Sequence, residues 1–158
     1  MTRNQPSKIY RVLVKIYYFV INPFRYLYWF LVRPKTRGVK CVIMHDGKIL
    51  LERISYAHKK WTIPGGGVKK NETLEDAARR EAKEEVGIEL GGLEKIFEYT
   101  NTHQFKIDTV TVFKSEVSDE KYEVDGLEIL EAGWFSRDNL PENRVPRVDK
   151  LLDLFGLV

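Results

Sequence analysis

Residues 64–88 read PGGGVKKNETLEDAARREAKEEVGI and form the most specific pattern in the chain. Thr73 is a favourable N-cap, and Asp76 stands three residues later in the capping-box position. The stretch Leu74–Val86 contains neither glycine nor proline and consists mostly of strong helix formers. Gly87 follows, where a left-handed residue usually ends a helix. The stretch therefore predicts a glycine-rich loop followed by one helix.

The predicted helix carries several carboxylates on one side. At about 100° per residue, Glu81, Glu84 and Glu85 share one arc of its surface, and Glu72 can join them from the loop. Glutamate-rich helices are usually solvated faces with ion pairs. Here the preceding glycines let the backbone approach a ligand closely, and carboxylate oxygens suit Mg²⁺ or Mn²⁺. The pattern therefore favours a site for a divalent cation.

The spacing resembles the signature of the Nudix hydrolases, the Nudix box. Gly66 is followed by five residues, Glu72, seven residues, and then the run Arg80–Ile88. Ala82 departs from the pattern, since the family usually has a larger aliphatic residue there. The resemblance implies an α/β/α sandwich with a mixed sheet. It also implies Mg²⁺-dependent hydrolysis, with Mn²⁺ as a substitute, of a nucleoside diphosphate linked to another moiety or of a nucleoside triphosphate.

The resemblance also implies roles for individual residues. Catalytic roles fall on Arg80, Glu81 and Glu84, and the division of labour among the carboxylates stays open. The expected metal ligands are Gly66, Glu81, Glu84, Glu85 and Glu128. The family often places an acid several residues before a tryptophan like Trp134, and Glu128 and Glu131 are the nearest acids. Glu128 is preferred because it stands six residues before Trp134, in a loop from which its side chain could reach the site; a solvated loop carboxylate is the alternative. The residue types, rather than the resemblance, suggest the substrate contacts. Trp61 could stack on a base, Arg53 could bind phosphate, and Gly65 and Gly67 let the backbone approach a ligand, whereas packing or surface roles are the alternative for Arg53 and Trp61.

Apolar runs separated by turn residues predict the strands. Asp46-Gly47 between two such runs is a strong hairpin signal. Strands and helices alternate without a repeated βαβ unit, which favours a mixed sheet over a parallel one. The predicted strands are Gly38–Met44, Lys48–Ile54, Trp61–Ile63, Leu93–Tyr99, Ile107–Val117 and Ala132–Phe135, and a C-terminal helix is predicted over Arg147–Phe155.

Charge divides the chain into two parts. The 158 residues carry a net charge of +3. Residues 1–40 hold nine Lys or Arg and no acid, whereas the remainder holds 17 basic and 23 acidic side chains, a net −6. Such an acidic part does not fit a duplex-DNA binder, which needs a basic face. The single cysteine, Cys41, excludes an internal disulfide and favours a reducing, cytoplasmic location.

The first 35 residues predict a basic, aromatic-rich helical extension, with the Nudix domain over residues 36–158. Within Ile9–Val32, 19 of 24 residues are apolar or aromatic. A narrow polar stripe consists of Asn4, Lys8, Arg11, Lys15, Asn22 and Arg25. This composition is typical of a helix lying on an anionic membrane at its inner face. Packing on the domain, or self-association with a partner subunit, is the alternative.

Two other functions fit the sequence. A catalytically silent Nudix-fold module could bind a nucleotide without cleaving it, or the chain could be a membrane-tethered adaptor. The complete set of carboxylates favours the enzyme acting on a small nucleotide. Which nucleotide it cleaves stays open, as does the oligomeric state.

Overall fold

The computed structural model describes residues 21, 23–24, 28–55, 59–103, 105–124, 126 and 128–156. Within these residues, the domain contains six strands and two long helices. The strands are β1 (Lys35–His45), β2 (Lys48–Ile54), β3 (Trp61–Thr62), β4 (Glu94–His103), β5 (Lys106–Glu116) and β6 (Ile129–Phe135). The helices are α1 (Leu74–Val86) and α2 (Pro146–Phe155), and a 3₁₀ turn covers Arg137–Asn139.

The strands form one mixed sheet, as the sequence predicts. The order is β3-β2-β1-β5-β4, and β6 pairs with β2. Strands β1 and β5 run parallel, whereas the pairs β1–β2, β2–β3, β2–β6 and β4–β5 are antiparallel. The β1–β2 hairpin turns through Asp46 and Gly47 with φ of 45° and 71°, which two-residue hairpins require.

The two helices cover opposite faces of the sheet. Helix α1 lies on the face of Val39, Cys41 and Ile43, and α2 lies on the face of Val42 and Met44. The buried side of α1 is Ala77, Ala78, Ala82 and Val86. Ala82 therefore faces the sheet. Its small side chain allows the axis of α1 to lie close to the sheet. The α/β/α sandwich is confirmed.

Helix α1 has the predicted ends. The Thr73 hydroxyl accepts a hydrogen bond from the Asp76 N–H at 3.0 Å, and Gly87 is left-handed with φ of 69°. Both signals act within a few residues along the chain. The helix consequently begins and ends where the sequence predicts.

The extension is only partly described. Residues 21, 23–24 and 28–32 are helical, whereas every member of the predicted polar stripe lies outside the described residues. Within the described part of the chain, no helix combines the length and the apolar character needed to cross a bilayer.

The glycine-rich loop forms hydrogen bonds with the edge of β1 that β2 does not reach. Strand β2 pairs with β1 only next to the hairpin, at Met44 and His45. Beyond that point the loop takes the place of β2. The N–H groups of Cys41 and Val39 donate to Pro64 O and Gly66 O, each at 2.9 Å. The loop is thereby fixed to the centre of the sheet.

Gly65 is the tightest point of this contact. Its φ is 135°, and a Cβ there would overlap Val39 O and lie 2.8 Å from Lys40 Cα. Only glycine combines that backbone conformation with that approach. Gly67, two residues on, has nothing within 4 Å of a Cβ placed there.

These two glycines provide a matched pair for testing the loop. We expect Gly65→Ala to lower the free energy of unfolding by about 2 kcal/mol or more, because it combines backbone strain with overlap. Gly67→Ala should change it by less than about 1 kcal/mol. Urea unfolding of both variants measures the difference, and equal stabilities would contradict the role given to Gly65.

Candidate active site

Arg80 is the centre of the site. Its Nε and Nη2 donate to the two carboxylate oxygens of Glu72 at 2.7 and 2.9 Å. Its Nη1 donates to Glu81 at 2.7 Å and to Glu84 at 3.0 Å. Nη2 also donates to Gly67 O at 2.9 Å. One guanidinium therefore joins three carboxylates of the predicted cluster to the glycine-rich loop.

The two-point contact between Arg80 and Glu72 is reinforced by the loop. The Lys69 N–H donates to Glu72 Oε2 at 2.8 Å. The bond from Arg80, followed by that from Lys69, lowers the pKa of Glu72 from 4.5 to about 2. In return, Glu72 holds the pKa of Arg80 above its usual range. Glu72 therefore stays ionised and orients the guanidinium.

Glu81 lies directly against the loop backbone. A Cβ at Gly66 would stand 2.6 Å from Glu81 Oε1 and 2.9 Å from Oε2. Any side chain at position 66 would displace this carboxylate. The absence of a side chain therefore lets both oxygens of Glu81 approach the loop.

Glu85 is mostly buried and faces the other side of the loop. Its Oε2 accepts the Gly65 N–H at 2.7 Å. Burial raises the pKa of Glu85 to about 6, and the charges of Glu81 and Glu128 act in the same direction. The charge of Lys40 and the Gly65 N–H oppose this rise in pKa.

Lys40 is a functional residue that sequence reasoning missed. Its Nζ donates to Ile63 O at 2.6 Å and to Gly65 O at 2.8 Å. It therefore fixes the loop carbonyls and places a positive charge near Glu85. The available signal was a single lysine within the apolar run of β1.

Glu52 is a second residue that sequence reasoning missed. It is 1% exposed on β2 and pairs with Thr62 on one side and Ala132 on the other. Its charge is among those, with Glu81 and Glu85, that raise the pKa of Cys41, after the larger effect of burial. Glu52 thus places a buried carboxyl group within electrostatic reach of Cys41.

The two late acids occupy different places. Glu128 is exposed, and its charge contributes to the raised pKa of Glu85, so it lies within electrostatic reach of the site. Its backbone carbonyl accepts the Ser55 N–H at 2.7 Å. Glu131 instead pairs with Arg53, with Nε and Oε1 2.6 Å apart. The preference for Glu128 over Glu131 stays a prediction.

A wide cleft borders the site. It has a volume of about 820 Å³. Its positive lining residues are Lys35, Arg37, Lys40, Lys69, Lys70 and Lys106, and its lining also includes Gly65–Glu72, Tyr99, Asn101 and Asp108. From α2, Arg147 lies 3.6 Å above the Tyr99 ring and donates to Asn101 at 3.1 Å. Helix α2 thereby orients one wall of the cleft.

The four predicted substrate contacts fall in two places. Gly65 and Gly67 line the cleft. Arg53 and Trp61 pair with each other across β2 and β3. Arg53 binds Glu131, and Trp61 packs edge-on against Phe135 at 5.0 Å. Neither Arg53 nor Trp61 is among the residues that line the cleft, and their role as substrate contacts stays a prediction.

The carboxylates of the site are the type of ligand that a divalent cation needs. In the described part of the chain, no three His, Cys, Asp or Glu side chains are grouped closely enough to hold a metal ion. Glu81 and Glu84 both bind Arg80 in this structure. The chemistry of the donors fits, since hard carboxylate oxygens converge on a loop where Gly66 leaves room for Glu81. That Glu81, Glu84 and Glu85 hold Mg²⁺ stays a prediction.

Comparison with known proteins assigns the family. A model of the NUDIX domain matches residues 34–155. The chain belongs to the Nudix family. The Nudix box at Gly66–Ile88 therefore lies on α1 and the loop before it.

Individual relatives agree with this assignment. The chain is 31% identical over 105 residues to the NAD-capped RNA hydrolase NudC of Salmonella agona (strain SL483), covering 64% of this chain and 40% of that protein. It is 32% identical over 96 residues to the NudC of Citrobacter koseri, covering 61% and 37%. The chain thus spans about 40% of the length of these curated relatives.

Solved structures match the Nudix fold as well. The MutT NUDIX hydrolase of Burkholderia pseudomallei superposes with a TM-score of 0.69 at 25% identity, covering 77% of this chain and 98% of that one. The MutT protein of Methanosarcina mazei Go1 gives 0.66 at 24% identity, covering 79% and 95%.

The Glu72–Arg80 contact has a testable pH dependence. Because the pKa of Glu72 is about 2 when folded and 4.5 ordinarily, its carboxylate stabilises the fold above pH 4.5. That contribution is lost as pH falls towards 2. We therefore expect Glu72→Gln to be less stable than wild type at pH 7, with the difference shrinking at pH 3. Urea unfolding at both pH values measures it. Glu75→Gln, an exposed acid on the same helix, should match wild type, and a constant difference for Glu72→Gln would contradict this account.

Proposed function

We propose that this Nudix protein is a Mg²⁺-dependent pyrophosphohydrolase that cleaves a nucleoside diphosphate linked to another moiety. One observation carries the proposal. The box glutamates, Arg80 and the glycine-rich loop converge beside a cleft lined by six cationic side chains. The similarity to NAD-capped RNA hydrolases supports the same substrate class, because NAD is itself a nucleoside diphosphate joined to a second nucleoside.

The cleft residues suit a diphosphate. Lys40, Lys69 and Lys70 border the loop, where they can bind phosphate oxygens. The aromatic ring of Tyr99 and the amide of Asn101 offer stacking and hydrogen bonding to a base. A Mg²⁺ ion held by the box carboxylates would supply positive charge to the pyrophosphate and lower the pKa of a bound water.

The remaining residues would position the box carboxylates and the glycine-rich loop. Arg80 orients Glu81 and Glu84 through charge-assisted hydrogen bonds. Lys40 holds the carbonyls of Ile63 and Gly65 in place. Glu85 accepts the Gly65 N–H and thereby links α1 to the loop.

We also assign residues 1–35 to peripheral attachment at the inner face of a membrane, with the domain in the cytoplasm. The composition of the extension supports attachment, and its lack of acids suits an anionic surface. The single buried cysteine suits a reducing compartment.

Metal dependence provides the first test. Release of phosphorylated products from NADH, ADP-ribose and nucleoside triphosphates should need millimolar Mg²⁺ and stop in excess EDTA. Glu84→Gln and Glu85→Gln should each lower kcat by about 10²-fold or more, because each removes a charge next to the metal. Glu75→Gln is the matched control on α1 and should retain wild-type rates. Full activity in EDTA would disprove the metal assignment, and wild-type rates in both site variants would disprove the site.

The two late acids provide a second test. Glu128→Gln should lower kcat, because Glu128 is the acid whose charge reaches Glu85. Glu131→Gln should have little effect on kcat, because Glu131 pairs with Arg53 instead. Steady-state kinetics under saturating Mg²⁺ compare them. The opposite ranking would show that Glu131 is the functional acid, and two unchanged rates would confine the chemistry to residues 66–88.

A further inference from the structure

The tip of the β4–β5 hairpin contacts the end of the extension. The Phe30 and Phe105 rings meet edge-on with their centroids 5.0 Å apart. Lys106 Nζ lies 5.1 Å above the Trp29 ring. The Ile107 N–H donates to Pro34 O at 3.1 Å. The hairpin tip and the helical residues 28–32 therefore share one side of the molecule.

Large apolar side chains on this side remain in contact with solvent. They form what we call the tip surface, which consists of Phe30, Leu31, Phe105 and Ile107. Leu31 is 71% exposed and Phe105 is 53% exposed, even though Phe105 packs against Phe30. Exposed apolar side chains grouped in this way are typical of an interaction surface.

The backbone conformation at position 105 is unfavourable for phenylalanine. It follows the first loop residue of the hairpin and has a φ of 63°. Bulky side chains are disfavoured in this left-handed region, where glycine and asparagine are common. Phe30 covers one part of the Phe105 ring, and 53% of the residue remains exposed, so ring surface is available for a contact outside the chain.

The charges around the tip surface select its occupant. Arg33, Lys35 and Lys106 border it, and residues 1–40 contain no acid. A second copy of the same surface would bring like charges together, which is unfavourable. A nucleic acid would leave Leu31 and Ile107 without apolar partners. Aromatic and aliphatic side chains ringed by cations match the headgroup region of an anionic bilayer.

We propose that the tip surface docks on a bilayer of anionic phospholipid, and that Phe105 and Ile107 extend the contact from the extension onto the folded domain. This rests on the membrane attachment proposed above and does not depend on the hydrolase activity. Lys35 and Lys106 also line the cleft. Docking would consequently place the mouth of the cleft beside the lipid headgroups.

The experiment uses the full chain and sedimentation with vesicles, in the absence of substrate. Vesicles of phosphatidylglycerol and phosphatidylcholine should bind the protein, and binding should weaken as salt rises. Vesicles of phosphatidylcholine alone should bind it poorly. Phe105→Asn should weaken binding about tenfold, because an apolar ring is lost from the contact. Its thermal stability should equal or exceed that of wild type, because asparagine tolerates the left-handed conformation.

A charge-matched pair separates local contact from net charge. Lys106→Glu should weaken vesicle binding by about tenfold or more. Lys121→Glu makes the same change in net charge in the segment after the opposite end of β5, and it should bind like wild type. Hydrolysis of a soluble dinucleotide by Phe105→Asn should be unchanged, so loss of docking is distinguishable from loss of the enzyme.

Three results would overturn the proposal. The first is wild-type protein that does not sediment with anionic vesicles, or Phe105→Asn protein that binds them equally well. The second is a lipid-free dimer that Phe105→Asn converts to monomer, which would assign the surface to a second copy. The third is single-stranded RNA binding that Phe105→Asn abolishes while vesicle binding is unchanged.

Discussion

The attachment of the glycine-rich loop to the edge of β1 is the contact on which the rest of the site depends. Strand β2 leaves this edge after the hairpin, and the backbone of residues 64–68 takes its place. Because the loop is paired with a central strand, its N–H and carbonyl groups are fixed. Gly65 can then present its N–H to Glu85 and its carbonyl to Lys40. The loop is thus held to β1 by backbone hydrogen bonds, as a strand would be.

The site balances a concentration of negative charge with two cations of different function. Arg80 binds Glu72, Glu81 and Glu84 at the loop surface, whereas Lys40 lies beside the buried Glu85. Removing either cation would leave carboxylates close together in a partly desolvated place, which is costly. A divalent ion at the same carboxylates would relieve the same repulsion. Arg80 and Lys40 therefore already supply part of the positive charge that such an ion would provide.

Sequence reasoning succeeded where structure is determined locally. Helix α1, its caps at Thr73 and Gly87, and the Asp46-Gly47 hairpin depend on residues a few positions apart, and all are confirmed. The mixed sheet also followed from the alternation of strands and helices.

Sequence reasoning could not find features made by distant pairings. Lys40 reaches the site only because β1 borders residues 63–65, and the cleft joins β1, β4 and β5. Arg53 and Trp61 pair with each other in the sheet, a partnership that composition does not reveal. Likewise, the contact between Phe30 and Phe105 joins residues 75 positions apart, and no local pattern indicates it.

The burial of Cys41 has a practical consequence. The thiol is inaccessible, donates to Ala78 O at 3.5 Å, and has its pKa raised to about 12 by burial. Since the thiolate is the reactive form, alkylating reagents and oxidants should leave it unmodified in the folded protein. The natural chain therefore behaves as a cysteine-free background, in which a single introduced surface cysteine would carry a fluorophore or spin label at a defined position.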